Sequence, residues 1–242
     1  VDTIAARESD FVRRAIASWR TNRAIEILGD SAGDSAGDSA GDSAGDADRL
    51  PIVSFVVHGP GGRRLHHNLV VALLNDLFGI QCRGGCSCAG PYGHDLLRIG
   101  PDRARSLAGR TADGWQGVKP GWARVSFAYY LSEDVFRYIV EAVHLVATYG
   151  ARLMPAYRFD PHSGLWTHRD APTVPAGLAR VSYDTEGRLT FPGSGLAPSP
   201  GPLDRYLHQA RAILEAATPG ATEAPDELDG LRWFALPAAC LA

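Results

Sequence analysis

Lysine is almost missing from this chain of 242 residues: of its 24 basic residues only Lys119 is not arginine. Any chemistry that needs a lysine amine therefore has one candidate. An excess of charge of one sign is missing too, with 24 Lys+Arg against 27 Asp+Glu and a net charge of −3. That excludes a polybasic nucleic-acid binder, whose affinity rests on clustered phosphate-neutralising cations. Long hydrophobic runs are absent. The longest, such as Leu69 to Leu74, fall far short of the roughly 20 residues that cross a bilayer, so no membrane partner is expected. No basic start followed by an apolar stretch is present, which argues against a secretory leader and for a cytoplasmic protein. Cysteine is scarce: Cys82, Cys86, Cys88 and Cys240 are too few for a disulfide scaffold. Three of them crowd the 82–88 stretch, which points to reactive thiols or a metal site before bridges. The chain opens on Val1 and enters a helical pattern almost at once, the expectation for the tail of something longer.

What is present is ordinary globular material, with 45% apolar and 21% charged residues. Val12, Ala15, Ile16 and Trp19 hold a helical period over 9–20, and a short strand over 24–28 stops at Gly29. Tandem Asp-Ser-Ala-Gly repeats then run from Asp30 to Gly45. With no side chain larger than Ala among their apolar residues, they cannot repay ordering entropy by burial, so a disordered insert over 30–49 is expected. Apolar runs at 51–57 and 122–127 read as strands, and a short strand is expected at 80–82. Val70, Leu73, Leu74 and Leu77 mark a helix over 67–78 that Gly79 ends. Ser132 caps a further helix, with Glu133 and Asp134 in its first turn. The stretches 157–168 and 181–191 read as hairpins turning at Gly164 and Gly187, and 203–216 as a last helix. The expected fold class is α/β, an α+β domain with a small, mostly antiparallel sheet, helices packed on one face and C-terminal hairpins. The expected organisation is 1–29 and 50–160 as one small domain around the insert, and 161–242 as an appendage of hairpin and helix.

Two places could carry chemistry. The segment Arg83-Gly84-Gly85-Cys86-Ser87-Cys88-Ala89-Gly90-Pro91 has glycines that let backbone approach a ligand, and arginines nearby would favour a thiolate on Cys88 or Cys86. The alternatives are buried packing cysteines, or zinc held with His58, His66, His67 or His94, although the spacing matches no usual knuckle. Arg124 lies mid-strand on the face opposite Val125 and Phe127. Its guanidinium suits bidentate capture of a carboxylate, unless it sits on an edge strand and simply reaches water. His66 and His67 precede a helix start, where a capping or surface role is expected. Asn75 and Asp76 read as solvated surface, and Tyr129-Tyr130 as a packing cluster.

The run Leu65-His66-His67-Asn68-Leu69-Val70-Val71-Ala72-Leu73-Leu74, followed by Ile80-Gln81-Cys82 and the cysteine segment, resembles the C-terminal small domain of class V aminotransferases. It is most similar to their cysteine desulfurase and selenocysteine lyase branch, whose loop reads Arg-x-Gly-His-His-Cys-Ala. Arg124-Val125-Ser126-Phe127-Ala128-Tyr129-Tyr130 matches the later Arg-x-Ser/Asn-x-x-x-Tyr-Asn strand, and the likeness spans roughly 5–160 outside the insert. The resemblance implies a pyridoxal 5'-phosphate enzyme acting on an amino acid, a homodimer when complete. Cys88 would be the sulfur acceptor, and Arg83 and Arg124 would bind substrate. Cys86-Ser87 stands where the branch has His-His, so aminotransferase, epimerase and lyase chemistry stay open beside desulfuration. The large domain that supplies the aldimine lysine, the pyridinium aspartate and the ring-stacking histidine is expected to be absent from this chain, which assigns no cofactor residue here and no metal ligand. A stand-alone thiol or metal module and an inactive remnant are the alternatives.

Overall fold

The computed structural model describes residues 2–29, 50–85, 90–171, 181–190, 202–220, 223–224 and 230–241. The insert expected at 30–49 and the segment Cys86–Ala89 lie outside the described residues. The architecture is mixed α/β around a four-stranded antiparallel sheet in the order β1-β2-β4-β3. Its strands are β1 (Ile25–Ile27), β2 (Ile52–Val57), β3 (Arg83–Gly85) and β4 (Trp122–Ser126).

Strand alternation sorts the sheet into two faces. Val53, Phe55, Ala123 and Val125 point into the main hydrophobic cluster, with Phe127 just beyond β4. Three helices cover that side: α1 (Asp2–Trp19), α2 (His67–Phe78) and α5 (Glu133–Tyr149). Trp19 is fully buried against Phe55 and Phe127, and its indole N–H donates to the Val140 carbonyl at 3.1 Å. Ser132 caps α5 by accepting from the Val135 N–H, as the sequence predicts. α2 has the expected bounds, ending at Gly79 in a left-handed conformation.

Beside the opposite face lie two helices where the sequence analysis expects no element, α3 (Gly90–Leu96) and α4 (Pro101–Ala112). Leu97, after α3, packs on Leu28, Val56 and Trp122. Helices therefore meet both faces of the sheet, with the larger share of the burial on the α1–α2–α5 side. Pro101 at the first turn of α4, with Asp102 beside it, was the available sequence signal.

The stretch beyond 160, expected to stand apart, does not do so in its described parts. The hairpin β5 (Tyr157–Asp160) and β6 (Leu165–His168) buries Tyr157, Phe159 and Trp166 in the main cluster. α6 (Leu203–Ala216) adds Ala210 and Leu214, and the 230–241 segment adds Phe234, Leu236 and Cys240. Only the small ribbon of β7 (Ser182–Tyr183) and β8 (Leu189–Thr190) is exposed throughout. Pro- and Gly-rich links hid this, because they break the periodicity between short apolar patches that are far apart in sequence. Among the described residues, no helix is long and apolar enough to cross a membrane.

Candidate functional site

The register across the sheet aligns its second face into rows. Ser54 on β2 lies opposite Arg124 on β4, and Arg124 lies opposite Arg83 on β3. Directly opposed residues project to the same side with Cβ atoms about 4.5–5.5 Å apart. The two guanidinium groups therefore share one small area, with Arg124 half-buried and Arg83 exposed. β4 is an inner strand, flanked by β2 and β3, so the reading of Arg124 as an edge-strand side chain reaching water is overturned. Beyond the backbone ladder, neither arginine side chain makes a hydrogen bond or ion pair with a described residue. Two like charges placed opposite each other without a carboxylate between them cost stability, and an anion shared by both would relieve that cost.

The neighbouring row is apolar. Trp122 is opposite Gly85 and packs with Val56 under Leu97. The strand reaches this row two residues from Arg124, roughly 7 Å along its length. Gly85 lies opposite Trp122, and Gly90 opens α3. Cys88 itself, the expected sulfur acceptor, lies outside the described residues.

The glycines here face the protein rather than a ligand. A Cβ on Gly84 would meet Asn68 Oδ1 at 2.8 Å, and one on Gly121 would meet His67 Cε1 at 2.8 Å and the Gly85 carbonyl carbon at 2.6 Å. β3 and the approach to β4 can lie this close to α2 only without side chains.

His66 and His67 are both buried, not surface groups. His66 caps α2: its Nδ1 accepts from the Asn68 N–H at 3.2 Å, and its Nε2–H donates to the Gly117 carbonyl at 3.1 Å. Both ring nitrogens are thus satisfied by the neutral imidazole, and burial holds His66 well below the usual histidine value. His67 stacks on both His66 and Trp233, with ring centroids at 4.3 Å and 5.8 Å. Burial, helped by the Lys119 charge, lowers it to about 4. Its Nδ1 is buried with no hydrogen-bond partner among the described residues.

A different histidine sits in the opposite electrostatic setting. His58 Nε2 lies 2.8 Å from Glu26 Oε2, with Arg64 3.5 Å from the same oxygen. The carboxylate raises His58, and the histidine in turn lowers Glu26.

The remaining cysteines read as packing. Cys82 lies against the main cluster, and burial pushes its thiol up to about 11. Cys240 is fully buried, donates to the Met154 carbonyl at 3.3 Å and is likewise raised to about 11. Among the described residues, no group of three metal-ligating side chains comes together. Asp76, read as solvated surface, accepts from the buried Tyr157 hydroxyl at 2.9 Å. Tyr129 and Tyr130 touch edge to face but are exposed rather than packed into the core.

Sequence reasoning missed the space under α3 and α4. Gly90, Leu97, Leu107, Trp122 and Lys119 are among the residues lining a cavity of about 510 Å³ there. No family model matches the chain, and no curated protein matches it.

Proposed function

We propose that this chain is the substrate-binding half of a class V aminotransferase or cysteine desulfurase-like enzyme, in which Arg124 and Arg83 together hold the α-carboxylate of an amino acid. The observation that carries this reading is the arginine pair opposed across the inner strand β4 and its neighbour β3, with no carboxylate partner among the described residues. A half-buried guanidinium fork presents two parallel donors to a carboxylate, and a second fork opposite it adds charge and fixes orientation. Each charge-assisted hydrogen bond contributes about 1.5–3 kcal/mol.

Such an enzyme uses pyridoxal 5'-phosphate, which needs its Schiff-base lysine and a partner for the pyridinium nitrogen held together. The described residues of this chain do not fit that demand. Lys119 is exposed on a turn, and no Asp or Glu is among the residues lining the cavity beside it. In this reading the cofactor belongs to a large domain outside this sequence, and this chain's part is to bind and orient substrate. Cys88, three residues beyond the end of β3 at Gly85, is the sulfur acceptor if the substrate is cysteine, with an intact homodimer as the working form. A thiol or metal module is less well supported, because Cys82 is held as the protonated thiol.

The test is an NMR titration of the arginine Nε–Hε signals with L-alanine and with L-alanine methyl ester. The free acid is expected to shift the Arg83 and Arg124 signals, the ester to leave them in place, and Arg124→Gln to weaken binding about tenfold or more. Equal response to acid and ester, or undiminished binding by Arg124→Gln, would overturn the assignment.

A further inference from the structure

The cavity under α3 and α4 is built independently of the arginine pair. Its lining is largely apolar, with Leu97, Leu107, Pro120 and Trp122 among its residues. At about 510 Å³ it falls within the range of small-molecule sites. Most of its polar groups are already committed: the Thr111 hydroxyl donates to the Leu107 carbonyl at 2.8 Å, and the Gln116 amide donates to the Thr111 carbonyl at 3.0 Å. The His94 ring and the Lys119 ammonium remain, neither side chain in a hydrogen bond or an ion pair with a described residue. No carboxylate is among the lining residues. The indole N–H of Trp122, a lining residue 4% exposed, is buried without an acceptor among the described residues.

The turn that presents Lys119 is fixed from below. His66 holds the Gly117 carbonyl, the Trp233 indole N–H donates to the Val118 carbonyl at 2.9 Å, and the Gly117 N–H donates to the Pro161 carbonyl at 2.9 Å. Val118 is fully buried against Leu107, so the wall of the cavity and the base of the turn are one packed unit. A backbone ordered in this way adds no ordering cost of its own when the ammonium meets an anion, which leaves only the side chain's freedom to be lost.

We infer that this cavity is a binding pocket for a small aromatic carboxylate, its ring system against Trp122 and Leu107 and its carboxylate on the Lys119 ammonium. The apolar walls take a flat ring by area burial, and the single cation at the rim, with His94 as a further donor, sets the orientation of the head. This inference goes beyond the amino-acid reading above and does not rest on it, since none of its residues belongs to the arginine row.

The experiment uses the full chain, labelled so that its tryptophan indole N–H signals are resolved, titrated with 2-naphthoate, 2-naphthamide and inorganic phosphate. Naphthoate is expected to shift the Trp122 signal and to bind about tenfold or more tightly than the neutral amide. Lys119→Gln should remove that advantage and leave amide binding within about twofold. Ala108→Trp, which fills the cavity from its exposed α4 side, should abolish both. The Trp19 and Trp166 signals, from the main core, report that each variant is folded. Equal affinity for acid and amide, a Lys119→Gln variant that keeps the preference, an Ala108→Trp variant that still binds, or a Trp122 signal moved by phosphate alone would each overturn the proposal.

Discussion

On one face of the sheet, Val53, Phe55, Ala123 and Val125 vanish under α1, α2 and α5; on the other, Ser54, Arg124 and Arg83 form a row whose polar heads have no partner among the described residues. The same strands make both. The first face gains its stability from area removed from water, close to 25 cal/mol per Å² of apolar surface. The second places two cations opposite each other at a cost, and only its Val56–Trp122 row is covered. The contrast separates what holds the fold from what is available to bind. A substitution on the packed face should read out as stability, and one on the open row as binding.

The sharpest break of that contrast is on the packed side. Phe55, fully buried beneath Trp19, should cost about 3–5 kcal/mol when changed to Ala, measured by chemical denaturation. The pH dependence of stability comes next and lies at the junction of α2 with the sheet. His67 is held at about 4 when folded against 6.5 when free, so the unfolded chain takes up its proton first. Its contribution is fully present above pH 6.5 and is lost as pH falls toward 4, an effect of ~3 kcal/mol, with His66 acting in the same direction. His67→Phe should flatten that acid slope. His58 has the opposite sign: its folded value is raised by Glu26, so its contribution is present below pH 6.5 and fades as pH rises through the folded value. The smallest effect belongs to the open row. Arg124→Gln should leave the fold intact and raise stability by about 0.2–1 kcal/mol through relief of the repulsion with Arg83. A loss of stability of several kcal/mol there would mean that the guanidinium is structural after all.

How much of this was legible in sequence follows the same division. Where side chains repeat with a helical or strand period over a long enough stretch, as in α2, α5, α6 and β2, the elements appear where the pattern puts them. The antiparallel sheet and the mixed α/β class were legible for that reason. β3 was misplaced by three residues. The Ile80 N–H donates to the Leu74 carbonyl at 3.0 Å, closing the end of α2, so this backbone is spent on the helix terminus before the ladder begins at Arg83. The opposition of Arg83 and Arg124 was beyond reach because it depends on that register. α4 buries only Leu107, too little to announce a helix by periodicity, and the cavity beneath it went unseen with it.

The pairing of Arg64 with Phe234 bears on the order in which the chain acquires its structure. The Ala235 N–H donates to the Arg64 carbonyl at 3.0 Å, and Phe234 packs edge-on against His66 with ring centroids at 4.6 Å. These partners lie roughly 170 residues apart, a closure of high contact order that comes late in folding. During synthesis, at about 5–20 residues per second, the sheet and its three covering helices are out well before Phe234 follows. Until Trp233 and Phe234 dock, His66 and His67 lack one wall of their enclosure, and any proton taken up there in acidic surroundings would have to be shed before the last segment could close over them.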